Sequence, residues 1–295
     1  MRLEQLYASG RPEISVEFFP PKTPDGVEKL FTETIPALSR FRPVFFSMTY
    51  GAGGSTRNLT LDLCNRLKNQ LDVETMCHLN IIGQSRAETC ENLQRLREMG
   101  IYNLLALRGD PPRDQPDFKP HPDGFSSSVE LIEEARKIRD EKTGGPWFSI
   151  AVTGFPEVHP EAKDRASDIG YLKRKLEAGG CVVITQFFLD NAFFLEFTQE
   201  ARRAGIRAPI IPGILPIVSV SQLRRFCALC GTKIPPAVGA ALEKREGDEP
   251  GAAQYGIELA TRMCDELLKG GVPGLHFYAL NRAHSTEAIL RNLGL

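Results

Sequence analysis

The 295-residue sequence has almost no net charge and no long apolar run, and both absences exclude whole classes of protein. Lysine plus arginine (36) nearly balance aspartate plus glutamate (37). The chain therefore lacks the excess of positive charge that is typical of proteins that bind nucleic acid or an anionic membrane. No stretch of about 18 apolar residues is present, and the first residues contain no signal-peptide core. We therefore expect no membrane span and a cytoplasmic protein.

The seven cysteines form no recognisable disulfide or zinc pattern. They are scattered, odd in number and set in apolar stretches, which is typical of reduced thiols in a reducing compartment. Cys227 and Cys230 make a single CxxC, and at that spacing on a helix we interpret them as one core-facing stripe. The histidines show neither HxH nor HExxH spacing, so we predict no metal site.

Eight short apolar runs rich in β-forming residues alternate with helical patterns. Nearly continuous apolar runs are typical of strands covered on both faces, and eight strand–helix units are the number that closes a barrel. A doubly wound open sheet is the alternative, but it usually shows GxGxxG after the first strand, where this chain has Pro20-Pro21. We predict an α/β fold, a single-domain (β/α)8 TIM barrel over 1–295 with 1–12 as an N-terminal extension. The predicted strands are 14–19, 43–50, 74–80, 103–109, 147–154, 181–188, 208–215 and 275–280.

The predicted helices lie between these strands, and several of their ends carry capping residues. Ser85 followed by Glu88 forms a capping-box pattern, and Gly179-Gly180 ends a later helix. Two segments, 110–124 and 244–251, are predicted as loops over the barrel mouth or rim. The predicted helices are 27–40, 56–71, 86–99, 127–139, 164–178, 191–204, 219–229, 254–269 and 285–292.

One carboxylate stands inside the first apolar strand, at Glu17 in the run Ser15 to Pro21. A buried charge costs several kcal/mol unless it is paired or neutralised, so such a glutamate often has a raised pKa. A carboxylic acid that is neutral near pH 7 can donate a proton to a substrate. A glutamate on a polar strand face is the alternative interpretation of the same residue.

Polar or ionisable side chains follow nearly every predicted strand. In a closed barrel of parallel strands these positions meet at one face, where barrel enzymes bind their substrates. Each of them also has a purely structural interpretation, such as a core histidine, an aspartate that caps a turn, a glutamine that bonds the backbone or a solvated helix face. These strand-end candidates include Glu17, Thr49, Tyr50, Ala52, His78, Arg108, Gly109, Asp110, Phe155, His159, Gln186 and Arg282.

Eight motifs together resemble the bacterial methylenetetrahydrofolate reductases. In chain order they are SVEFFPPKT, SMTYGAGGSTR, ALRGDPP, FPEVHPEA, LKRKLEAG, ITQFFLD, IIPGILPI and HFYALNRA. The resemblance implies a (β/α)8 barrel that holds FAD at the strand C-termini and reduces 5,10-methylenetetrahydrofolate to 5-methyltetrahydrofolate with NADH or NADPH. It also implies that the protein forms a homo-oligomer and binds this small-molecule substrate. We expect it to bind neither nucleic acid nor a membrane. Larger eukaryotic relatives add a regulatory domain that binds S-adenosylmethionine, and we expect no such control here.

The resemblance implies a role for each matching residue. Glu17 matches the general acid, and Asp110 matches the carboxylate beside the flavin and the folate ring. Contacts with FAD are implied for Thr49, Tyr50, Ala52, His78, Arg108, Gly109, Asp110, Phe155, His159, Ala162, Asp168, Arg174 and Lys175. Contacts with folate and nicotinamide are implied for Gln186, Gln222, Phe226 and Arg282.

Two stretches depart from the family pattern. Phe155 stands where many relatives have tyrosine. The missing hydroxyl removes one expected hydrogen bond to FAD, which is worth about 1 kcal/mol of binding free energy. A Tyr-Ala-Ser-Asp-like stretch is replaced by Phe-Ser-Ser-Ser at 125–128. Two other functions remain open: a metal-dependent barrel hydrolase using His78, His159 and Asp110, and a folate-binding barrel without reductase activity. The choice between NADH and NADPH is also open.

Overall fold

Eight parallel strands close into a barrel in the order of the sequence, which confirms the predicted (β/α)8 TIM barrel. The computed structural model describes residues 1–50, 56–111 and 117–295. Each strand pairs with its neighbours along the chain, and β1 pairs with β8 to complete the ring. The strands are β1 Glu13–Phe18, β2 Phe45–Met48, β3 Thr75–Asn80, β4 Asn103–Leu107, β5 Ser149–Gly154, β6 Val182–Phe187, β7 Ile210–Ile214 and β8 Gly274–Tyr278.

The helices surround this barrel, and most begin at a side chain that caps the backbone. The predicted capping box of Ser85 and Glu88 is confirmed, because the Ser85 hydroxyl accepts from the Glu88 backbone N–H at the start of α5. The helices in the described residues are α1 Leu3–Leu6, α2 Pro24–Lys29, α3 Ile35–Ser39, α4 Arg57–Gln70, α5 Arg86–Glu98, α6 Ser128–Ala135, α7 Arg165–Glu177, α8 Asn191–Arg203, α9 Val220–Cys230, α10 Pro236–Glu243, α11 Glu249–Lys269 and α12 His284–Asn292.

Several predicted helix boundaries are wrong. The helix predicted over 27–40 begins earlier, at Pro24 behind the Thr23 cap, and a π-helical turn at Leu30–Thr34 separates α2 from α3. The helix predicted over 127–139 ends at Ala135. The predicted loop 244–251 is partly helical, because the Asp248 side chain caps α11 there. The short helices α1 and α10 are not predicted by the periodicity.

Side chains from alternate positions of the strands fill the barrel interior. An apolar cluster near the N-terminal ends joins Leu3 and Leu6 of α1 to the inner faces of the strands. Two residues further along β2 and β3, the same faces present Ser47 and His78, and β1 presents Glu17. The interior therefore changes from an apolar plug to a polar layer toward the strand C-termini. The cluster contains Leu3, Leu6, Phe45, Met76, Leu105, Ala151, Val182, Ile184 and Ile211.

A second apolar layer packs the helices onto the outside of the barrel, with residues such as Phe18, Phe46 and Phe197 almost fully buried. Within 1–50, 56–111 and 117–295, no helix has both the length and the apolar character needed to cross a membrane.

Candidate active site

Glu17 lies near the C-terminal end of β1, inside the barrel, with only 6% of its surface exposed. Its Oε2 is 3.2 Å from His78 Nε2 on β3 and 3.2 Å from His276 Nε2 on β8. The contact with His276 has hydrogen-bond geometry, whereas the contact with His78 is too bent and leaves His78 Nε2 without a hydrogen-bond partner. Glu17 is therefore buried and faces the polar layer inside the barrel.

The expected raised pKa of Glu17 is wrong for the protein as it stands. Burial by itself raises the pKa, but the nearby His78 imidazole and the hydrogen-bonded His276 imidazole together outweigh burial and lower it to about 2. The carboxylate is thus ionised at neutral pH and stabilised by two imidazoles. A proton that Glu17 gives to a substrate must first be returned to it from a neighbouring group.

His276 is a site residue that the sequence analysis missed. It is fully buried, and the register of β1 with β8 places it beside Ser15, two residues before Tyr278. Its Nδ1 lies 2.8 Å from the Ser15 hydroxyl, which is in turn 3.3 Å from the hydroxyl of Tyr7. The closure of β8 on β1, which barrel topology predicts, is the feature that could have indicated this pairing.

The loop after β4 carries the predicted Arg108, Gly109 and Asp110. Arg108 makes a two-pronged ion pair with Glu161, at 2.7 and 2.9 Å, and this hydrogen bonding raises the pKa of Arg108. Gly109 has φ +87°, and a Cβ there would lie 2.6 Å from Cγ of Asn80. Only glycine fits this position. Asp110 is exposed next to it, so its carboxylate is accessible to a ligand.

The loop after β5 carries the predicted Phe155, His159 and Ala162, and the predicted Asp168 lies in the first turn of α7. The Asp168 carboxylate accepts from the His159 backbone N–H at 3.0 Å, and the Ala162 N–H donates to the His159 carbonyl at 2.9 Å. The Phe155 ring packs edge-on against His159 with centroids 4.5 Å apart. His159 therefore joins this loop to the start of α7 through the Asp168 carboxylate.

Arg165, which the sequence analysis did not single out, fixes this loop from α7. Its guanidinium donates to the Phe155 carbonyl at 2.9 Å and also to the Pro156 carbonyl, and it pairs with Glu200 at 3.1 Å.

The stretch 125–128, which also departs from the family pattern, packs against neighbouring elements. Phe125 is buried beneath the Arg86 guanidinium, and the Ser127 hydroxyl caps α6. The stretch 125–128 thus has a structural role in this chain.

Arg174 and Lys175 lie next to each other on α7 but in different surroundings. Arg174 is exposed, whereas Lys175 is 5% exposed and donates from Nζ to the Thr153 carbonyl at 2.6 Å. The interpretation of this charged run as a solvated helix face is therefore wrong for Lys175. Burial lowers the pKa of Lys175 to about 8, although the Asp168 carboxylate acts in the opposite direction.

The buried Lys175 gives a pH dependence whose sign follows from its pKa. Because the folded pKa of about 8 is below the ordinary 10.5, the unfolded chain binds more protons between these pH values, so the contribution to the unfolding free energy rises with pH across that window. The rise is up to about 3 kcal/mol. Urea unfolding at several pH values should show a steeper rise in wild type than in Lys175→Met. Equal slopes in the two proteins would contradict this placement of the ammonium group.

The predicted residues after β2 and β3 lie at the edge of the polar layer. Thr49 and Tyr50 are each 8% exposed, and the Thr49 carbonyl accepts from the Thr60 hydroxyl at 3.0 Å. Ala52 lies outside the described residues. His78 is 4% exposed, and its unused Nε2 and the unpaired Oδ1 of Asn80 are buried polar atoms without a hydrogen-bond partner. Such atoms are rare in folded proteins, and these two can still form hydrogen bonds.

The predicted substrate contacts belong to three different segments. Gln186, near the end of β6, accepts the backbone N–H of the next residue, Phe187, at 2.9 Å with Oε1, a bond within its own strand and not to a neighbouring one. Gln222 and Phe226 lie one turn apart on α9, both partly buried, and Oε1 of Gln222 is buried without a hydrogen-bond partner. Arg282 is exposed after β8.

Asn281 connects the ends of β8 and β1. Its amide oxygen accepts from the Phe19 N–H at 2.9 Å, and its amide nitrogen donates to the Phe19 carbonyl at 2.8 Å. Asn281 itself has φ +58°, a left-handed conformation that asparagine tolerates better than most residues. The side chain thus fixes the backbone two residues beyond Glu17.

Two variants of Asn281 separate its hydrogen bonds from its backbone conformation. Asn281→Gly loses both bonds to Phe19 but accepts the positive φ, so we expect a loss of about 1–2 kcal/mol in unfolding free energy. Asn281→Ala loses the same bonds and adds about 1 kcal/mol of backbone strain. Chemical unfolding of the two variants measures the difference. An alanine variant as stable as the glycine variant would contradict this explanation.

Among the described residues, no group of three or more histidine, cysteine, aspartate or glutamate side chains is suited to hold a metal ion. Of the three residues named for a hydrolase, His78 contacts Glu17, His159 accepts the Glu161 backbone N–H with Nδ1, and Asp110 is exposed on another loop. No contact in the structure joins the three into one cluster.

Comparisons with known proteins identify the family of the chain. The family model described as Methylenetetrahydrofolate reductase matches residues 2–294. "Methylenetetrahydrofolate reductase (NADH) 1" of Arabidopsis thaliana is 40% identical over 303 residues, covering 100% of this chain and 50% of the plant protein. "5,10-methylenetetrahydrofolate reductase" of Pectobacterium carotovorum is 35% identical, covering 97% of this chain and 91% of the bacterial protein. The chain thus spans about half the length of the plant relative and most of the bacterial one.

A solved structure also shares the fold. It is an uncharacterized protein from Clostridium thermocellum that binds two copies of 5-methyl-5,6,7,8-tetrahydrofolic acid, with a TM-score of 0.66 and coverage of 98% of this chain and 97% of the other. At 14% identity this likeness shows the barrel fold alone. Because the family model spans almost every residue and the bacterial relative is similar over nearly its whole length, the chain belongs to the methylenetetrahydrofolate reductase family.

Proposed function

We propose that this chain is a FAD-dependent methylenetetrahydrofolate reductase in a single catalytic barrel domain. It reduces 5,10-methylenetetrahydrofolate to 5-methyltetrahydrofolate with NADH or NADPH, by a ping-pong sequence, and so supplies methyl groups for methionine synthesis. Family membership supports the reaction. The observation that carries the proposal is Glu17, a buried carboxylate near the strand C-termini with an imidazole nitrogen of His78 and one of His276 each 3.2 Å from Oε2.

The residues present fit FAD. Buried polar atoms without partners, Nε2 of His78 and Oδ1 of Asn80, offer hydrogen bonds to a polar ring system, and Gly109 leaves the room that the Asn80 side chain occupies. The exposed Arg174 and the partly exposed Arg108 supply positive charge for a pyrophosphate. These residues, with Thr49, Tyr50 and the His159 loop, would hold the cofactor. When bound, FAD supplies the hydride chemistry between nicotinamide and folate.

The protein's own residues supply the proton and the electrostatic field. The methylene bridge of the folate is a poor hydride acceptor until it opens to an iminium, and protonation of N10 promotes that opening. Glu17 gives this proton, and general acid catalysis of this kind contributes about 10²–10⁴-fold. The exposed Asp110 carboxylate favours the positive charge that develops on the folate. Phe226 stacks on the flat ring system, and Arg282 pairs with the folate carboxylates.

Anaerobic mixing of the purified protein tests this proposal. We expect a yellow protein with a flavin absorbance spectrum that NADH or NADPH bleaches and methylenetetrahydrofolate restores. A colourless, folate-binding protein that never oxidises the nicotinamide would instead support the non-reducing alternative. The plant relative is named for NADH and a relative from Caenorhabditis elegans for NADPH, so comparing the two bleaching rates determines the donor.

We also propose that the protein works as a cytoplasmic homo-oligomer. Free, buried cysteines such as Cys64, Cys77 and Cys264 are typical of proteins in a reducing compartment and support the cytoplasm. Light scattering of the purified protein tests the oligomeric state.

A further inference from the structure

A line of polar contacts crosses the barrel interior behind Glu17. Glu17 Oε2 is 3.2 Å from His276 Nε2, His276 Nδ1 is 2.8 Å from the Ser15 hydroxyl, and that hydroxyl is 3.3 Å from the hydroxyl of Tyr7. His276 and Ser15 are both fully buried, so both ring nitrogens have protein partners in place of water. When one ring nitrogen of an imidazole is held by a hydrogen-bond partner, that partner fixes the tautomer, and the other nitrogen is the one that gains or loses a proton.

This geometry meets a need of the proposed reaction. Glu17 is ionised in the protein as it stands, yet it must carry a proton each time it protonates N10 of the folate. Glu17 is only 6% exposed, and a folate and a flavin at the barrel mouth would cover it further. The proton therefore needs a store within hydrogen-bond distance of the carboxylate.

We propose that His276 is the positioning residue that stores this proton and returns it to Glu17, and that Ser15 determines which ring nitrogen exchanges it; this inference rests on the proposed function. Imidazolium Nε2–H breaks its N–H bond, and an O–H bond forms on Glu17 Oε2, giving neutral imidazole and neutral carboxylic acid. The Nδ1–H remains on the ring and donates to the Ser15 hydroxyl. After N10 takes the proton from Glu17, the slightly exposed Glu17 carboxylate takes a new proton from water when the site is open and passes it to Nε2 of His276.

His276 suits this role better than His78. His276 has a well-formed hydrogen bond to Glu17 and a second bond that orients the ring, whereas the contact of His78 with Glu17 is bent. His78 also lies on β3, beside the unpaired Asn80 Oδ1 that fits the cofactor. The bent contact leaves His78 Nε2 available to a ligand.

Among the described groups around the His276 ring, Glu17 is the one that carries a negative charge. Tyr278 on the same strand packs edge-on at 5.3 Å and donates its hydroxyl to the Thr185 carbonyl. Burial raises the pKa of Tyr278, and burial likewise raises the pKa of Tyr7, so both phenols stay neutral. Phe45 on β2 is apolar, and Gly213 on β7 has no side chain. The ring therefore exchanges its proton with Glu17 on one side and is held by Ser15 on the other.

The test compares Ser15→Ala and His276→Gln with a matched control, Ser149→Ala. Ser149 is also a buried barrel serine, and its hydroxyl also bonds the N-terminal segment, accepting the Leu3 N–H at 3.1 Å. In anaerobic mixing, we expect His276→Gln to slow flavin reoxidation by methylenetetrahydrofolate about 10–100-fold. Ser15→Ala should slow it less and shift its pH profile. Flavin reduction by the nicotinamide should be unchanged in all three variants.

A second readout does not depend on turnover. Long-range ¹H–¹⁵N correlation of the imidazoles in the free protein reports which nitrogen carries a proton, and His276→Gln identifies the resonance among the five histidines. We expect a permanent Nδ1–H and a titrating Nε2 in wild type and in Ser149→Ala, and mixed tautomers in Ser15→Ala. A ring that stays Nε2–H at all pH values, or a pH profile of reoxidation that Ser15→Ala leaves unchanged, would overturn the proposal. Wild-type protein that methylenetetrahydrofolate does not reoxidise contradicts the proposed function, and the NMR titration still decides whether Nε2 exchanges.

Discussion

Replacing Glu17 with glutamine is expected to slow flavin reoxidation by methylenetetrahydrofolate by about 10²–10⁴-fold, while flavin reduction by NADH or NADPH is retained. Glutamine has nearly the same size, and its amide oxygen can accept the hydrogen bond of His276, but its amide does not donate a proton to the N10 amine. Reduction by the nicotinamide needs no proton from this position. The measurement is stopped-flow absorbance of the two half-reactions, each recorded separately.

Glu13→Gln is the matched control for this variant. Glu13 lies on the same strand and four residues earlier, so it has the same inward parity, but it sits at the opposite end of the barrel from the polar layer. Its replacement should leave both half-reactions unchanged. If Glu17→Gln slowed both half-reactions equally, the residue would be a binding or structural group, and the acid role would be wrong.

Replacing Gly213 with alanine is expected to destabilise the barrel by about 3 kcal/mol and to lower the melting temperature by about 5–10 °C. A Cβ at Gly213 would lie 2.2 Å from the Thr185 carbonyl oxygen and 2.7 Å from the Tyr278 hydroxyl. The first of these atoms is backbone of the neighbouring strand, so β6 and β7 must separate for the methyl group to fit. Thr185 also accepts the Tyr278 hydroxyl at 2.6 Å, and that bond would be disturbed.

Gly170→Ala gives the control, because a Cβ at Gly170 meets nothing within 4 Å and the residue is exposed on α7. Alanine is the better helix former, so this variant should gain about 0.5–1 kcal/mol. Thermal unfolding of both variants beside wild type gives the comparison. A Gly213→Ala protein that melts with wild type would show that β6 and β7 are less tightly apposed than described.

The sequence predicts the barrel well because each strand and most helices have local causes. Apolar β-rich runs identify the strands, and residues such as Ser85 fix helix starts through bonds to the next turn. The boundaries that were missed depend on features that periodicity does not contain, including the π-helical turn at Leu30–Thr34 and the cap at Asp248. The position of Glu17 inside the barrel also follows from its strand.

The electrostatics of the site could not be predicted in the same way. The pKa of Glu17 depends on His276, which is 259 residues away in sequence and reaches Glu17 only because β8 closes on β1. Arg108 is similarly paired with Glu161, 53 residues away and on a different loop. Asn281 fixes the backbone beside Glu17 from the far end of the chain. The apolar sequence around Glu17 indicates that its carboxylate is buried. Only the pairing of β1 with β8 shows which side chain stabilises its ionised form.

Product analysis after anaerobic double mixing tests the central claim most directly. The purified protein is first reduced with NADH or NADPH, the excess donor is removed, and 5,10-methylenetetrahydrofolate is then added. The account predicts that the reduced flavin is reoxidised and that one 5-methyltetrahydrofolate forms for each flavin. Reduced flavin that persists in the presence of the folate, with no methyl product, would contradict it.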